Sequence, residues 1–519
     1  MKTLLPLLAL LLDVAPRVAT LRGEVLDAST GRPIPCRISI RGEDGTFYFA
    51  KSAAADGSAI DYKKVAIGNP KIAENHVTLS AHPFTVEVPP GKYNVRVQRG
   101  KEYLAQNRVV EVPDSGAKIE VRLQRWIDMA AQGWYSGETH VHRMPDQLPN
   151  LMLAEDLNVA LPLTSWVVEA YKSPKSTNKA APAVMNDARV VEVDKTHVFY
   201  PRNTEYEIFY VGKKKHTLGA LFFLNHQSLF EEGLPPVRPI VRKARDEGAL
   251  LELDKHNWPW SMMLAPVFNV DLYELANNHM WETDFAFRDF GEPAPDWMNI
   301  EKDAQGMTEK GWVDYTFQNY YAVLNCGLRM RPTAGCASGV HPVPLGFGRV
   351  YVKVDGDFTY DKWMKGLNDG RSFVTTGPML FVEVDNNKQL HFRVESPSAL
   401  KIEVIVNGEK AAEFGTRFNF PMGLEVGNGK HPIAVEETSW IAVRCFESRT
   451  DGRSRWAHSA PVWIDVPGKP IRARRREVEF FIRRMQAEIE RNKDVLTPEG
   501  LAEYQEALDF YKGKLKEAR

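Results

Sequence analysis

The sequence predicts a multidomain protein: a central α/β domain between two β-sandwich domains, followed by a helical hairpin. Three observations predict it. Strict alternation of apolar and polar residues recurs in 21–125 and again in 379–466, the period-2 signature of half-buried strands. Between them, residues 126–378 carry uninterrupted apolar runs such as Val159 to Leu163, Leu218 to Leu224 and Ala249 to Leu253, spaced by segments with helical character such as Ile240 to Asp246. Runs of that kind are strands buried on both faces, which belong to largely parallel sheets or barrels covered by helices. From 467 onward the apolar residues fall at helical spacing instead.

Composition narrows the function classes. With 519 residues the chain exceeds one ordinary core, and 44% hydrophobic residues exclude a disordered chain. Lys plus Arg (66) balances Asp plus Glu (67), a net charge of −1, so there is no general attraction to nucleic acid or acidic membranes. Four cysteines without a C-x-x-C pair exclude a disulfide scaffold and a cysteine zinc finger. Cys326 and Cys336 could pair in an oxidising compartment, but sequence alone does not pair them.

Met1-Lys2-Thr3 precedes the apolar run Leu4 to Leu12, with small residues near Ala15 and Ala19. The run is too short to span a bilayer and reads as a signal peptide over 1–20, which predicts a secreted or periplasmic protein with no membrane span.

In 21–125, Leu21-Arg-Gly-Glu-Val-Leu-Asp and Cys36-Arg-Ile-Ser-Ile-Arg alternate, and Thr30-Gly31-Arg32-Pro33 marks a turn. With the later Pro89-Pro90-Gly91-Lys92-Tyr93, this order resembles the carboxypeptidase-regulatory or transthyretin-like β-sandwich. In 379–466, Leu380-Phe-Val-Glu-Val and Lys401-Ile-Glu-Val-Ile-Val alternate, and Asn407-Gly408 is a hairpin signal. In 467–519, Val478, Phe481, Ile482, Met485 and Ile489 form one helical face. Thr497-Pro498 opens a second helix with Leu501, Tyr504, Leu508 and Tyr511 on its face.

The chemistry concentrates in the centre, which holds eight of the thirteen histidines and nine of the twelve tryptophans. In Gly137-Glu138-Thr139-His140-Val141-His142, residues two apart on a strand project to one face, so His140 and His142 can hold one ion or be shared between two. Glu205 and Glu207 share a face in the alternating Thr204-Glu-Tyr-Glu-Ile208. His216 opens the Leu218–Leu224 run, and His256 follows Leu251-Glu-Leu-Asp-Lys255 at a strand end. Asn277-Asn278-His279 ends another apolar stretch, and Thr333-Ala-Gly-Cys-Ala-Ser-Gly-Val-His341 is a glycine-containing loop. Strand ends are where α/β sheets and barrels place their sites, and imidazoles with carboxylates suit borderline divalent metals.

This ordered set resembles the PHP (polymerase and histidinol phosphatase) superfamily, and within it the carbaryl-hydrolase-like (CehA/McbA) metallohydrolases, which also carry a sequence like Gly370-Arg-Ser-Phe-Val-Thr-Thr-Gly-Pro378. The resemblance covers roughly 130–380. It implies a distorted (β/α)7-type barrel with metals at its C-terminal rim, and by position the ligands His140, His142, Glu205, His216, His256 and His341, for one or two ions of Mn, Fe or Zn. Two positions depart from the family pattern. Thr164-Ser165-Trp166 stands where Thr-Asp-His is usual, and Gly339 where an Asp precedes the last histidine. Asp146, Asp254 and Asn278 are the residues that could compensate.

A metal-activated water attacking an ester, carbamate or phosphoester is the expected reaction. Asp254 or His256 would serve as general base or acid, Lys255 and Arg349 would hold an anionic group, and Trp166, Trp258 and Trp260 would wall a pocket for a small-molecule or glycan-like substrate. A non-catalytic secreted binding or scaffold protein with a degenerate PHP metal site is the alternative. No P-loop, dinucleotide fingerprint, H-E-x-x-H or G-x-S-x-G is present. The oligomeric state is not encoded in any of these features.

Overall fold

The computed structural model describes residues 17–175, 187–289, 293–385, 387–419 and 423–519. Most of the segment read as a leader lies outside them. The first strand, Ala19–Asp27, starts two residues before the mature start placed at 21, with Ala19 buried.

Two compact units form. One comprises residues up to Tyr62, Asn75–Arg99 and Tyr103–Arg125. Its core is filled by the inward residues of its alternating strands, among them Leu21, Ile38, Ile40, Val86, Val95 and Val97. This is the two-sheet packing that period-2 sequences produce.

The other unit comprises Lys63–Glu74, Gly100–Glu102 and Trp126–Arg519. A six-stranded sheet runs in the order Ser165–Glu169, Thr204–Val211, Lys214–Leu224, Leu250–Leu253, Leu272–Ala276 and Arg331–Ala334. Most of its pairs are parallel, but Lys214–Leu224 runs antiparallel to both neighbours. The reason is local. Gly212, at φ 58°, and Lys213 turn the chain straight back in a two-residue hairpin, leaving no room for a crossover helix. An eleven-stranded sheet contains Trp134–Val141, flanked by Val159–Pro162 and Arg349–Lys353.

Two seams join these sheets. Val159–Pro162 runs on through Leu163 and Thr164 into Ser165–Glu169. On the other side the N–H of Ala337 donates to the His140 carbonyl and that of His142 to the Ser338 carbonyl, both at 2.9 Å. The Trp134–Val141 strand is thereby linked to both ends of the six-stranded sheet. Helices Arg238–Asp246, Ser261–Phe268 and Glu309–Asn325 connect core strands.

The region 379–466 does not stand apart from this core. Its strands Trp456–Ser459, Ser439–Glu447, Leu400–Val406 and Glu409–Gly415 extend the eleven-stranded sheet from Ser372–Thr375, because pairing covers an edge that would otherwise expose its N–H and C=O groups. A four-stranded sheet packs on this extension, with Leu380, Phe392, Val394, Ile402, Val404 and Val443 between the layers. The tail forms helices Arg475–Asn492 and Pro498–Glu517, with Thr497 accepting from the Gly500 N–H as N-cap. Phe481, Met485, Tyr504 and Tyr511 of the tail are buried in the same core cluster as Trp260 and Met262. No helix among the described residues is long and apolar enough to cross a membrane. Cys326 and Cys336 are both buried thiols and do not pair with each other.

Candidate metal centre

The site forms where the core strands end. His140 and His142 share a face, as the strand period requires, and their Nε2 atoms lie 3.1 Å apart. His142 Nε2 is 3.3 Å from Glu205 Oε2, on the Thr204–Val211 strand. On its other side, His140 Nδ1 lies 3.2 and 3.3 Å from the two oxygens of Glu274 and 3.8 Å from Asp254 Oδ1. All five side chains are buried. Gly335 permits this closeness, since a Cβ there would fall 2.2 Å from the Cβ of His140.

Two sets of potential ligand atoms result, His140/His142/Glu205 and His140/Asp254/Glu274, each converging within 4.8 Å. One imidazole offers a single lone pair per tautomer. A proton on Nδ1 donated to Glu274 leaves the Nε2 lone pair aimed at His142 and Glu205. With that tautomer the first set could hold a cation and Glu274 would be the carboxylate that orients it, an arrangement common around metal-bound histidines. The donor chemistry fits a divalent cation: two imidazole nitrogens face each other across hydrogen-bond distance with a carboxylate beside them.

The surrounding acids strengthen that fit. Glu252 accepts from Thr139 Oγ1 at 2.7 Å, yet burial pushes its carboxyl up to about 8. Burial and then neighbouring Asp254 raise Glu274 well above the carboxylate range. Lys255 pairs with Asp254, whose Oδ2 also accepts from the Trp258 indole at 3.3 Å. Glu138 is a structural acid. It accepts from the N–H groups of Cys336 (2.9 Å) and Gly346 (2.6 Å) and from the Cys336 thiol, and burial raises it to about 7.

A cavity of about 580 Å³ opens onto the pair, lined by His140, His142, Glu207, Lys255, Asn278, His279 and His341 together with Phe209, Trp258, Trp281 and Phe287.

Several sequence expectations are corrected here. His216 faces away: Lys215 and Thr217 line the cavity, so alternation turns His216 outward, where its Nε2 meets Asn492 Oδ1 at 2.7 Å and Arg491 at 3.1 Å. His256 is buried against Trp312 and Tyr315, with no hydrogen-bond partner on either ring nitrogen, and belongs to neither ligand set. Burial holds it far below the usual imidazole range, as a neutral core residue. Arg349 is fully buried and donates to the carbonyls of Gly346 (2.8 Å), Asp156 (3.1 Å) and Glu155 (3.1 Å), so it holds the scaffold and not a substrate anion. Trp260 is core, Trp166 does not line the cavity, and Asp146 is exposed outside both ligand sets. His341 lines the cavity, with its ring 6.4 Å from that of His279, but it too lies outside the ligand sets.

Glu274 escaped the sequence reading. Its signal was a lone carboxylate inside the apolar strand Leu272–Ala276, and Glu252 in Leu250–Leu253 carries the same mark. An acid in a strand buried on both faces needs a partner, a proton or a cation.

No family model and no curated protein matches the chain. A solved structure from Bacteroides vulgatus ATCC 8482, described as a two-domain protein containing predicted PHP-like metal-dependent phosphoesterase, is similar at 8% identity, covering 64% of this chain and 95% of that one with a TM-score of 0.29. A likeness at that level decides neither fold nor function.

Proposed function

We propose that the chain is an exported metal-dependent hydrolase of the PHP type, acting on an ester, carbamate or phosphoester bond. The observation that carries this reading is the opposition of the His140 and His142 Nε2 atoms at 3.1 Å, with Glu205 at 3.3 Å and Glu274 behind His140. The two sheet seams support reading the core strands as a distorted seven-stranded barrel with the site at its rim. Export rests on the leader-like 1–20 alone.

A divalent cation held by His140, His142 and Glu205 supplies Lewis acidity toward a scissile oxygen and an attacking water. The chain's own residues do the rest. Glu274 keeps the His140 proton on Nδ1. Asp254, oriented by Lys255 and Trp258, is placed to take a proton from water, and Lys255 at the cavity wall balances a developing negative charge. Phe209, Trp258, Trp281 and Phe287 exclude water and pack an apolar or glycan-like part of the substrate. Asp254 and Glu274 bring carboxylates to His140, which favours a working site over a degenerate one.

The test is elemental mass spectrometry on protein purified without chelator, beside His140→Ala/His142→Ala. One or two equivalents of Mn, Fe or Zn, lost in the double variant, are expected, with metal-dependent release of p-nitrophenol from its phosphate or carboxylic esters. Failure to hold any of these ions after reconstitution would overturn the proposal.

A further inference from the structure

The tail helix Arg475–Asn492 contributes more than apolar packing. Arg484 is buried, and its guanidinium reaches the segment that leaves the Leu250–Leu253 strand, donating to the His256 carbonyl at 3.1 Å and the Trp258 carbonyl at 2.9 Å. Asp254 and Lys255 precede these carbonyls directly, and the Trp258 indole donates to Asp254. Two turns further along the same helix face, Arg491 donates to the Thr217 carbonyl at 2.9 Å, and Thr217 lines the cavity. One helix, more than two hundred residues away in sequence, is thus bonded to the backbone of one site strand and of the segment that follows another.

We propose that Arg484 is a positioning residue, which fixes the 254–258 segment so that Asp254 and Lys255 face His140 and the cavity. The proposal rests on the hydrolase reading for its consequence but not for its geometry. A planar fork with two parallel donors spans two carbonyls two residues apart, which an ammonium cannot do in one fixed geometry. Ring contacts with Trp312 and Tyr315 hold the His256 side chain, and Ser261 Oγ bonds the Lys255 carbonyl. Arg484 supplies both intervening carbonyls, those of His256 and Trp258, from one side chain. Without it, the His256 carbonyl loses a charged donor and the Trp258 carbonyl is left to the Ser261 N–H at 3.2 Å, and a segment this short relaxes by turning its peptide planes. Asp254 and Lys255 would move with them, and displacement of a reacting group by about 1 Å costs on the order of 100-fold in rate.

Three full-length variants test this: Arg484→Ala, Arg484→Lys and Tyr511→Phe. Tyr511 serves as the control because its hydroxyl ties the same tail to the Met262 carbonyl at 2.9 Å, on helix Ser261–Phe268 and away from the segment in question. Hydrogen-exchange mass spectrometry reads the segment without recourse to activity. Faster exchange at 254–260 is expected in Arg484→Ala, partly restored in Arg484→Lys and unchanged in Tyr511→Phe, with metal content equal in all. In the manganese-loaded protein, hydrolysis of p-nitrophenyl phosphate or acetate is expected to fall about 100-fold in kcat for Arg484→Ala with little change in KM, and to recover in millimolar guanidinium. Tyr511→Phe should lower Tm while leaving kcat alone. Equal exchange at 254–260 in wild type and Arg484→Ala overturns the proposal, as does an equal loss of kcat in Tyr511→Phe. If Arg484→Ala does not fold, Arg484→Lys carries the same comparison. Inactive wild type with the expected exchange pattern would sink the hydrolase reading and leave the positioning role standing.

Discussion

Glu274, 3.2 Å from His140 Nδ1, is the group placed to set the tautomer of that ring, and through it the direction of the Nε2 lone pair. Replacing it with glutamine keeps the volume but permits the amide to present a donor to Nδ1, so the imidazole no longer keeps its proton there. Glu274→Gln is expected to weaken metal affinity about 10- to 100-fold, the usual effect of losing a histidine's outer carboxylate, read by competition with a chelating dye. His216→Ala is expected to leave affinity unchanged, because its ring is engaged by Asn492 and Arg491 outside the site. A loss of metal in His216→Ala equal to that in His142→Ala would restore it to the ligand set. The pair His140/His142 was legible in the sequence because strand period alone puts them together. Glu274 was not, because pairing with His140 joins strands 134 residues apart in sequence.

Arg349 shows how one side chain fixes an element. It begins the strand Arg349–Lys353, yet its guanidinium closes the C-terminus of helix Leu148–Glu155 by donating to the carbonyls of Glu155 and Asp156. Cationic donors at a helix C-terminus satisfy carbonyls that have no helical partner and interact favourably with the helix dipole. The helix follows the strand that carries His140, so Arg349 sets the return path of the first site-bearing segment. Arg349→Ala is expected to cost about 2 kcal/mol or more by removing the guanidinium from the buried Gly346 and Glu155 carbonyls, while the Asp156 carbonyl keeps the Ser136 hydroxyl at 3.2 Å, seen as a lower urea midpoint. Its effect on KM for the anionic substrate should be no larger than for a neutral one. A selective rise in KM for the anion would return Arg349 to the substrate site. From sequence, a conspicuous arginine near the last loop read as an anion holder, since burial and partner are tertiary properties. The helices of the tail were readable, because both their apolar spacing and the Thr497-Pro498 start are local. The antiparallel strand Lys214–Leu224 was not expected in a largely parallel sheet, although Gly212-Lys213 is short enough to be a hairpin turn.

At the scale of the whole molecule, two buried histidines tie stability to pH. His458 Nδ1 donates to the Ser459 carbonyl at 2.7 Å, and its Nε2 accepts from the Tyr321 hydroxyl at 2.9 Å. His226 repeats the pattern with the Ser228 carbonyl and Thr204. Both are therefore neutral, and burial lowers them to about 3 and about 4. A folded-state value below the unfolded one means the unfolded chain binds the extra proton. Their contribution is complete above about pH 6.5 and is lost as pH falls toward about 4, at about 1.4 kcal/mol per pH unit for each residue. Denaturant unfolding at pH 7, 6 and 5 should show that decline, and neither imidazole should titrate above pH 5 in the folded protein by NMR. A folded-state midpoint near 6.5 for His458 would contradict the pairing.

By itself the sequence determined the alternating strands of 21–125 and 379–466, the buried apolar strands between them, the two tail helices, and the shared face of His140 and His142. Each of these follows from period, length or turn chemistry, which act over a few residues. Tertiary structure decided which histidines come together, that Glu274 and Asp254 reach His140, that Arg349 caps a helix, and that 379–466 continues the core sheet. Those outcomes depend on burial and on partners far away in sequence, because the cost of an unpaired buried charge is settled only when the strands have come together.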